Sequence, residues 1–149
     1  MQWLERGWTT REYLPMTPMQ KIKRDILMMA GKEPDLAHIV ANGITAETVD
    51  EQYGMLMGAN SHWDYETEFR EGQVETGLPC EYSRNYESKA VARKLSDGTW
   101  VGWTYWYGGG KHGEPEAVPW MRDAYDLAVT EVEKVVVVRE FKKVDAPKA

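Results

Sequence analysis

The chain has 149 residues and a formal net charge of −6, with 18 Lys and Arg against 24 Asp and Glu. This length is typical of one domain that can bury a core, and the acidic balance disfavours a general phosphate-binding surface and direct nucleic-acid binding. The charged N-terminus and the lack of any apolar run near about 18 residues argue against a signal peptide and a membrane span, so the sequence predicts a cytoplasmic protein.

The first half of the chain carries helical signals. The segment Thr17–Gln20 combines a capping box with proline at the first helical position, and apolar residues at helical spacing continue to Gly31. A second short helix is predicted over 35–43 and a third over 45–57. These two helices have the look of a helix-turn-helix, but the bulky Ile39 and the acidic second helix favour an ordinary helical hairpin.

The second half carries strand signals. Strands are predicted over 63–70, 86–95, 100–107, 125–130 and 134–144. The Asp97-Gly98 pair is a preferred two-residue hairpin turn, and a short helix is predicted over 115–124. The separation of helices from strands predicts one α+β domain over residues 1–149, with N-terminal helices packed on a mostly antiparallel sheet of about five strands.

Aromatic residues concentrate between Ser96 and Trp120. In the strand over 100–107 both faces are apolar or aromatic, which indicates a central strand that is covered on each side. The rings either fill the core, which is the favoured interpretation, or provide a stacking surface for a sugar, a base or a partner's side chain. Trp106 and Trp120 are the aromatic binding candidates.

The segment Gly108–Glu114 is the best candidate for a functional loop. Its three consecutive glycines permit backbone conformations that are closed to other residues. It is not a Walker loop, because His112 replaces the magnesium-binding Ser or Thr. Lys111 with the loop amides could bind an anion, and His112 with Glu114 could form an acid–base pair. These three side chains are binding candidates, and they would be the catalytic residues of an enzyme.

Three carboxylates are further binding candidates. Asp64, Glu66 and Glu68 alternate along the strand predicted over 63–70, so they would share its charged face and could dock onto a basic protein surface. Cys80 is the single cysteine, and the three histidines are far apart in sequence. We therefore predict no metal and no cofactor, and the lack of any catalytic motif favours a protein that is not an enzyme.

The run NYESKAVARKLSDGTWVGWTYWYGGGKHGEPEAVPWM, residues 85–121, resembles small accessory proteins of proteobacterial phages, prophages and plasmids. This resemblance implies a mobile-element accessory protein. Proteins of that kind often act by binding and blocking a host enzyme or a defence complex.

These observations lead to one main functional hypothesis and two alternatives. The main hypothesis is a non-enzymatic phage or mobile-element protein that binds a host protein in the host cytoplasm, with inhibition of a defence system as its most specific form. The excess of seven Trp and eight Tyr over two Phe fits a binding surface. The alternatives are a small-molecule-binding or hydrolytic enzyme using residues 108–114, and an oligomeric virion component. No membrane partner is expected, and homodimerisation through an edge strand is left open.

Overall fold

The computed structural model describes residues 15–59 and 63–146, except for the side chains of Trp63 and His112. Within these residues, three α-helices precede a four-stranded antiparallel sheet, which confirms the predicted α+β class. The helices are α1 (Pro18–Ala30), α2 (Val49–Gly58) and α3 (Trp63–Arg70). The strands are β1 (Val74–Glu75), β2 (Glu87–Lys94), β3 (Trp100–Tyr107) and β4 (Tyr125–Leu127), in the sheet order β1-β2-β3-β4. Short 3₁₀ helices span Ala37–Val40, Gly110–His112 and Pro115–Ala117.

Helix α1 begins with the predicted capping box. The Thr17 hydroxyl accepts a hydrogen bond from the Gln20 amide at 3.2 Å, and the Gln20 side chain accepts one from the Thr17 amide at 3.0 Å. Ile22 and Ile26, one turn apart, are fully buried. The helix ends before Gly31, as its sequence pattern predicts.

The two helices predicted after α1 are shorter than expected. The first is reduced to the 3₁₀ turn Ala37–Val40, and α2 begins at Val49, four residues after the predicted cap. The side chain of Gln52 connects the two elements, because its Nε2 donates to the carbonyls of Ile39 at 3.1 Å and Gly43 at 2.8 Å. These bonds hold the pair together as a helical hairpin.

The prediction of a strand over 63–70 is wrong, because this segment forms helix α3. Phe69 is fully buried in the core. Asp64 and Glu66 lie in the first turn and Arg70 lies in the last turn, a charge distribution that stabilises the helix macrodipole. In a segment of eight residues, these terminal charges and the burial of one large ring outweigh the alternating pattern.

The β2–β3 hairpin forms where it was predicted, but its loop has three residues, 96–98, instead of two. The Leu95 amide donates to the Thr99 carbonyl at 2.7 Å, and the Gly98 amide donates to the Leu95 carbonyl at 2.9 Å, which is the pattern of a three-residue loop that ends in a left-handed glycine. Gly98 has a φ of 88°, and the Asp97 carboxylate accepts hydrogen bonds from the amide and hydroxyl of Thr99 at 2.9 and 2.6 Å. Val91 lies opposite Trp103 in the resulting register. The expected hairpin and the central position of β3 between β2 and β4 are confirmed, whereas the predicted two-residue turn is wrong.

The C-terminal part of the predicted sheet differs from expectation. The strand predicted over 125–130 is limited to Tyr125–Leu127, and the residues over 134–144 form no strand in the described structure. Three of the five predicted strands therefore form, and the unpredicted β1 makes the sheet four-stranded. The helix predicted over 115–124 is only the 3₁₀ turn Pro115–Ala117, because Pro119 cannot continue a helix.

The two faces of the sheet have different surroundings. The helices cover the face that we call the helix face, and the core there combines Ile22, Ile26, Val49, Leu56 and Phe69 with Val91, Val101 and Trp103. We call the opposite face, away from the α-helices, the open face. From the strand alternation and register, its members are Val74, Ser88, Ala90, Ala92, Lys94, Trp100, Gly102, Thr104, Trp106, Tyr125 and Leu127.

Candidate functional site

Most of the aromatic band belongs to the core. The Trp103 ring lies 5.7 Å from Phe69 and 5.2 Å from Trp120. Its indole N–H donates to the carbonyl of Arg70 at 2.8 Å. Trp120 and Trp106, the two aromatic binding candidates, are only 3% and 6% exposed, so neither ring presents a stacking surface to a partner.

Two tyrosines at the end of β3 remain half-buried. The rings of Tyr105 and Tyr107 are stacked, with centroids 5.8 Å apart. The Arg70 guanidinium lies 4.6 Å from the Tyr105 ring, and the Lys89 ammonium lies within 5.7 Å of both rings. The Glu75 carboxylate binds Lys89 at 2.7 Å and raises the pKa of that lysine. The protein's own cations therefore occupy this stacking surface.

The glycine-rich loop has a defined internal structure. Gly108, Gly109 and Gly110 have φ values of 75°, 89° and 64°, in the left-handed region that favours glycine. A Cβ atom on Gly109 would lie 2.8 Å from the ring of Tyr86, and the Tyr86 hydroxyl accepts a hydrogen bond from the Glu114 amide at 3.2 Å. Tyr86 thus fixes the loop against the start of β2.

Of the three candidate side chains in the loop, the structure describes two. Lys111 and Glu114 are exposed, and the side chain of His112 lies outside what the structure describes. The amides of Gly113 and Glu114 already donate to the Gly110 carbonyl and the Tyr86 hydroxyl, so they are not directed at an external anion. The His112–Glu114 acid–base pair stays a prediction.

The three carboxylate candidates lie on different sides of α3. Asp64 and Glu68 are four residues apart, so they share one side of the helix, and both are exposed together with Glu71. Glu66 instead accepts a hydrogen bond from the Tyr53 hydroxyl at 2.7 Å. The change from strand to helix therefore separates Glu66 from the other two carboxylates.

The Tyr53–Glu66 pair lines a cleft that sequence reasoning missed. Trp120 and Lys23 also line it, and the Lys23 ammonium lies 5.5 Å from the Tyr53 ring centre. Burial and the Glu66 carboxylate raise the pKa of Tyr53 far above its ordinary value. Tyr53 therefore stays protonated at neutral pH and acts as a hydrogen-bond donor instead of a base. The partners come from two helices, so no local sequence pattern marks them.

Cys80 has a serine hydroxyl as a polar neighbour. It is half-buried, and its Sγ lies 3.5 Å from the Ser88 hydroxyl. Across residues 15–59 and 63–146, no group of three or more His, Cys, Asp and Glu side chains could hold a metal ion. None of the helices in these ranges is long and apolar enough to cross a membrane.

A groove with no charged side chain in its lining crosses the open face. Its volume is about 330 Å³, and it reaches from β1 to the residues that follow β4. The lining residues are Val74, Thr76, Leu78, Ala92, Trp100, Leu127, Ala128, Val129 and Thr130. Three of its apolar side chains are exposed to solvent by 44–48%: Val74, Leu78 and Val129. We call this feature the open-face groove.

Small residues on β2 and β3 shape the open-face groove. Ala92 lies opposite Gly102 in the register of the two strands. A Cβ atom on Gly102 would lie 2.7 Å from the Tyr125 ring and 2.9 Å from the Leu127 side chain, so glycine is what lets β4 side chains approach the sheet. Sequence reasoning missed the groove, although the small residues Ala90, Ala92 and Gly102 on one face were a usable signal.

No family model, curated protein or solved structure matches the chain. The fold class by itself does not define a function, because one architecture can support many activities. Function must therefore be argued from the surfaces described above.

Proposed function

We propose that the protein is a non-enzymatic binding protein of a phage or other mobile element, and that it engages a host protein. Its most specific form would be an inhibitor of a host defence complex. The resemblance of residues 85–121 to phage and plasmid accessory proteins supports the mobile-element origin. The open-face groove supports the binding role, and it is the observation that carries the proposal.

The chemistry of the groove favours an apolar protein segment as its occupant. All of its lining side chains are uncharged, and Val74, Leu78 and Val129 are each close to half exposed. Contiguous exposed apolar surface is typical of protein interaction sites. The groove reaches from β1 to the residues after β4, so it suits the side chains of an extended segment that lies along the open face.

The distribution of ionisable groups also favours binding over catalysis. The open-face groove has no titratable side chain in its lining, so it lacks a general acid or base of its own. In the cleft on the helix side, Tyr53 is held in its protonated form by Glu66 and by burial. The exposed carboxylates of Asp64 and Glu68 and the net charge of −6 would attract a partner whose surface is basic.

The experiment compares partner capture by matched variants. Leu78→Asp and Val129→Asp each place a charge in the open-face groove. Met55→Asp makes the same kind of change at a residue of α2 that is 48% exposed. Each tagged protein is incubated with proteobacterial host lysate at several salt concentrations, and bound proteins are identified by mass spectrometry.

We expect one host protein to be retained by wild type and Met55→Asp and lost from both groove variants. Calorimetry with that purified protein should give a Kd at least about 10-fold weaker for each groove variant, because one large apolar contact is lost. Equal binding by all variants would exclude the groove as the interface. Failure of wild type to retain any host protein at any salt concentration would contradict the proposed function.

A further inference from the structure

The segment Glu131–Val144, which we call the C-terminal segment, exposes an unusual amount of apolar surface. Val135, Val136, Val137 and Val138 are consecutive and between 68% and 99% exposed. Phe141 and Val144 are 89% and 86% exposed. Runs of valine favour β-strands, and large exposed apolar surfaces mark interaction sites.

The C-terminal segment has strand propensity but pairs with no strand among residues 15–59 and 63–146. It forms no regular secondary structure in the described chain. The strand before it, β4, pairs only through Tyr125–Leu127. A strand needs a second strand to satisfy its backbone amides and carbonyls. The C-terminal segment can therefore become a strand only when another chain segment lies beside it.

We propose that the C-terminal segments of two copies of this protein pair with each other as antiparallel strands, centred on Val137 of each copy. The resulting dimer is two-fold symmetric, because each copy contributes the same residues to the contact. This inference does not depend on the proposed function, since the open-face groove and the C-terminal segment involve different residues.

The charges of the segment select this register. With Val137 opposite its own copy, Val136 lies opposite Val138. Lys134 then lies opposite Glu140, and Glu131 lies opposite Lys143. Two-fold symmetry repeats every such pair, which gives four cross-strand pairs of opposite charge and none of like charge. Opposite charges at facing positions stabilise an antiparallel pair, and like charges destabilise it.

Other arrangements of the same valines are less favourable. A register centred between Val136 and Val137 places Lys134 opposite Arg139 and Glu133 opposite Glu140, so like charges meet. A register centred on Val136 gives only the pair Glu133–Arg139. A parallel in-register pairing places every charge opposite its own copy. The antiparallel register on Val137 has the most complementary charges of these arrangements.

A charge-reversal series tests the pairing in the full-length protein. Lys134→Glu creates a facing pair of like charges with Glu140, and the double variant Lys134→Glu/Glu140→Lys restores complementarity. Lys142→Glu is the matched control, because it changes the net charge equally but lies opposite Val132 in the proposed register. Sedimentation velocity over a range of concentrations measures the mass of each variant.

We expect wild type and Lys142→Glu to reach about twice the 17.1 kDa mass of one chain as concentration rises. Lys134→Glu should dimerise at least about 10-fold more weakly, and the double variant should recover. Since these side chains are exposed, the thermal unfolding of each monomer should not change. A monomer at all concentrations, including one whose segment folds back on its own β4, would overturn the proposal. So would a dimer that is indifferent to Lys134→Glu.

Cysteine cross-linking tests the register. In a Cys80→Ser background, Val137→Cys places two thiols at facing positions, about 5 Å apart between Cβ atoms. Val136→Cys is the control, because its two copies would be offset by two residues, about 7 Å along the strands. Mild oxidation followed by non-reducing electrophoresis should give a covalent dimer with Val137→Cys and far less with Val136→Cys. Equal or reversed yields would refute the register.

Discussion

Replacing Trp103 with phenylalanine tests how strongly the sheet is held to the helices. The Trp103 indole is fully buried, contacts the rings of Phe69 and Trp120, and donates a hydrogen bond of 2.8 Å to the carbonyl of Arg70. Phenylalanine keeps an aromatic ring at this position. It removes the N–H group and leaves part of the indole volume empty.

The expected loss of stability has two parts. A buried carbonyl that loses its hydrogen-bond donor costs about 1–3 kcal/mol. An unfilled volume of roughly 40 Å³ adds about 1 kcal/mol at ~24 cal/mol per Å³. The free energy of unfolding should therefore fall by about 2–4 kcal/mol, a large share of the roughly 5–15 kcal/mol that stabilises a typical domain.

Urea unfolding followed by far-UV circular dichroism measures this loss directly. Thermal unfolding should show a Tm lower by about 4–16 °C, at about 2–4 °C per kcal/mol for a protein of this size. The control is Trp100→Phe, because Trp100 lies half-buried at the open-face groove instead of in the core. We expect the control to lose less than about 1 kcal/mol. If Trp103→Phe loses no more than Trp100→Phe, the assigned role of the indole N–H is wrong.

Two other substitutions test the hairpin turn and the contact with β4. Thr99 and Arg24 hold the pKa of Asp97 at about 2, below its ordinary 3.8, so the stabilisation from this carboxylate is present above pH 4 and is lost as the pH falls toward 2. Asp97→Asn should therefore show a smaller loss of stability between pH 4 and pH 2 in urea titrations. Gly102→Ala would place a Cβ atom 2.7 Å from the Tyr125 ring and should cost about 1–3 kcal/mol, with faster amide exchange in β4.

Each of these variants has its own control. Asn as well as Asp is common in tight turns and Gly98 is unchanged, so Asp97→Asn should keep wild-type structure at pH 7. If the free energy of unfolding falls as steeply between pH 4 and pH 2 in Asp97→Asn as in wild type, Asp97 is not the source of this loss of stability in acid. Gly54→Ala introduces the same methyl group in α2 where nothing lies within 4 Å, and it should be neutral or stabilising. A Gly102→Ala protein as stable as wild type would contradict the close approach of Tyr125.

Local sequence patterns predicted the features that depend on a few neighbouring residues. The Thr17–Gln20 capping box and the β2–β3 hairpin form as expected, because the groups that stabilise them lie within a few residues of one another. The hairpin loop is one residue longer than predicted. The α+β class follows from the order of such elements. These parts of the fold could be predicted without knowing what packs against them.

The remaining differences come from contacts between distant segments. The alternation over 63–70 fits a strand, but burial of Phe69 against Trp103 and the bond from Tyr53 to Glu66 stabilise a helix. Valines over 134–144 have strand propensity, but propensity alone supplies no partner strand. The open-face groove likewise depends on the close contact between Gly102 and Tyr125. These two residues are 23 positions apart in sequence. Of the features of the candidate site, the sequence predicted only the conformational freedom of the glycine-rich loop.

The order of strands in the sheet has a consequence for how the chain folds. Every pairing joins strands that are consecutive in sequence, so each pairing closes a loop without crossing another strand, and the entropy lost at each closure grows only slowly with loop length. The β2–β3 ladder, with eight residue pairs around a tight turn, closes the shortest loop and is the natural nucleus. Strands β1 and β4, with two and three pairs, gain least from pairing. We expect them to add last and open first, so that amide exchange should be fastest at these two margins of the sheet.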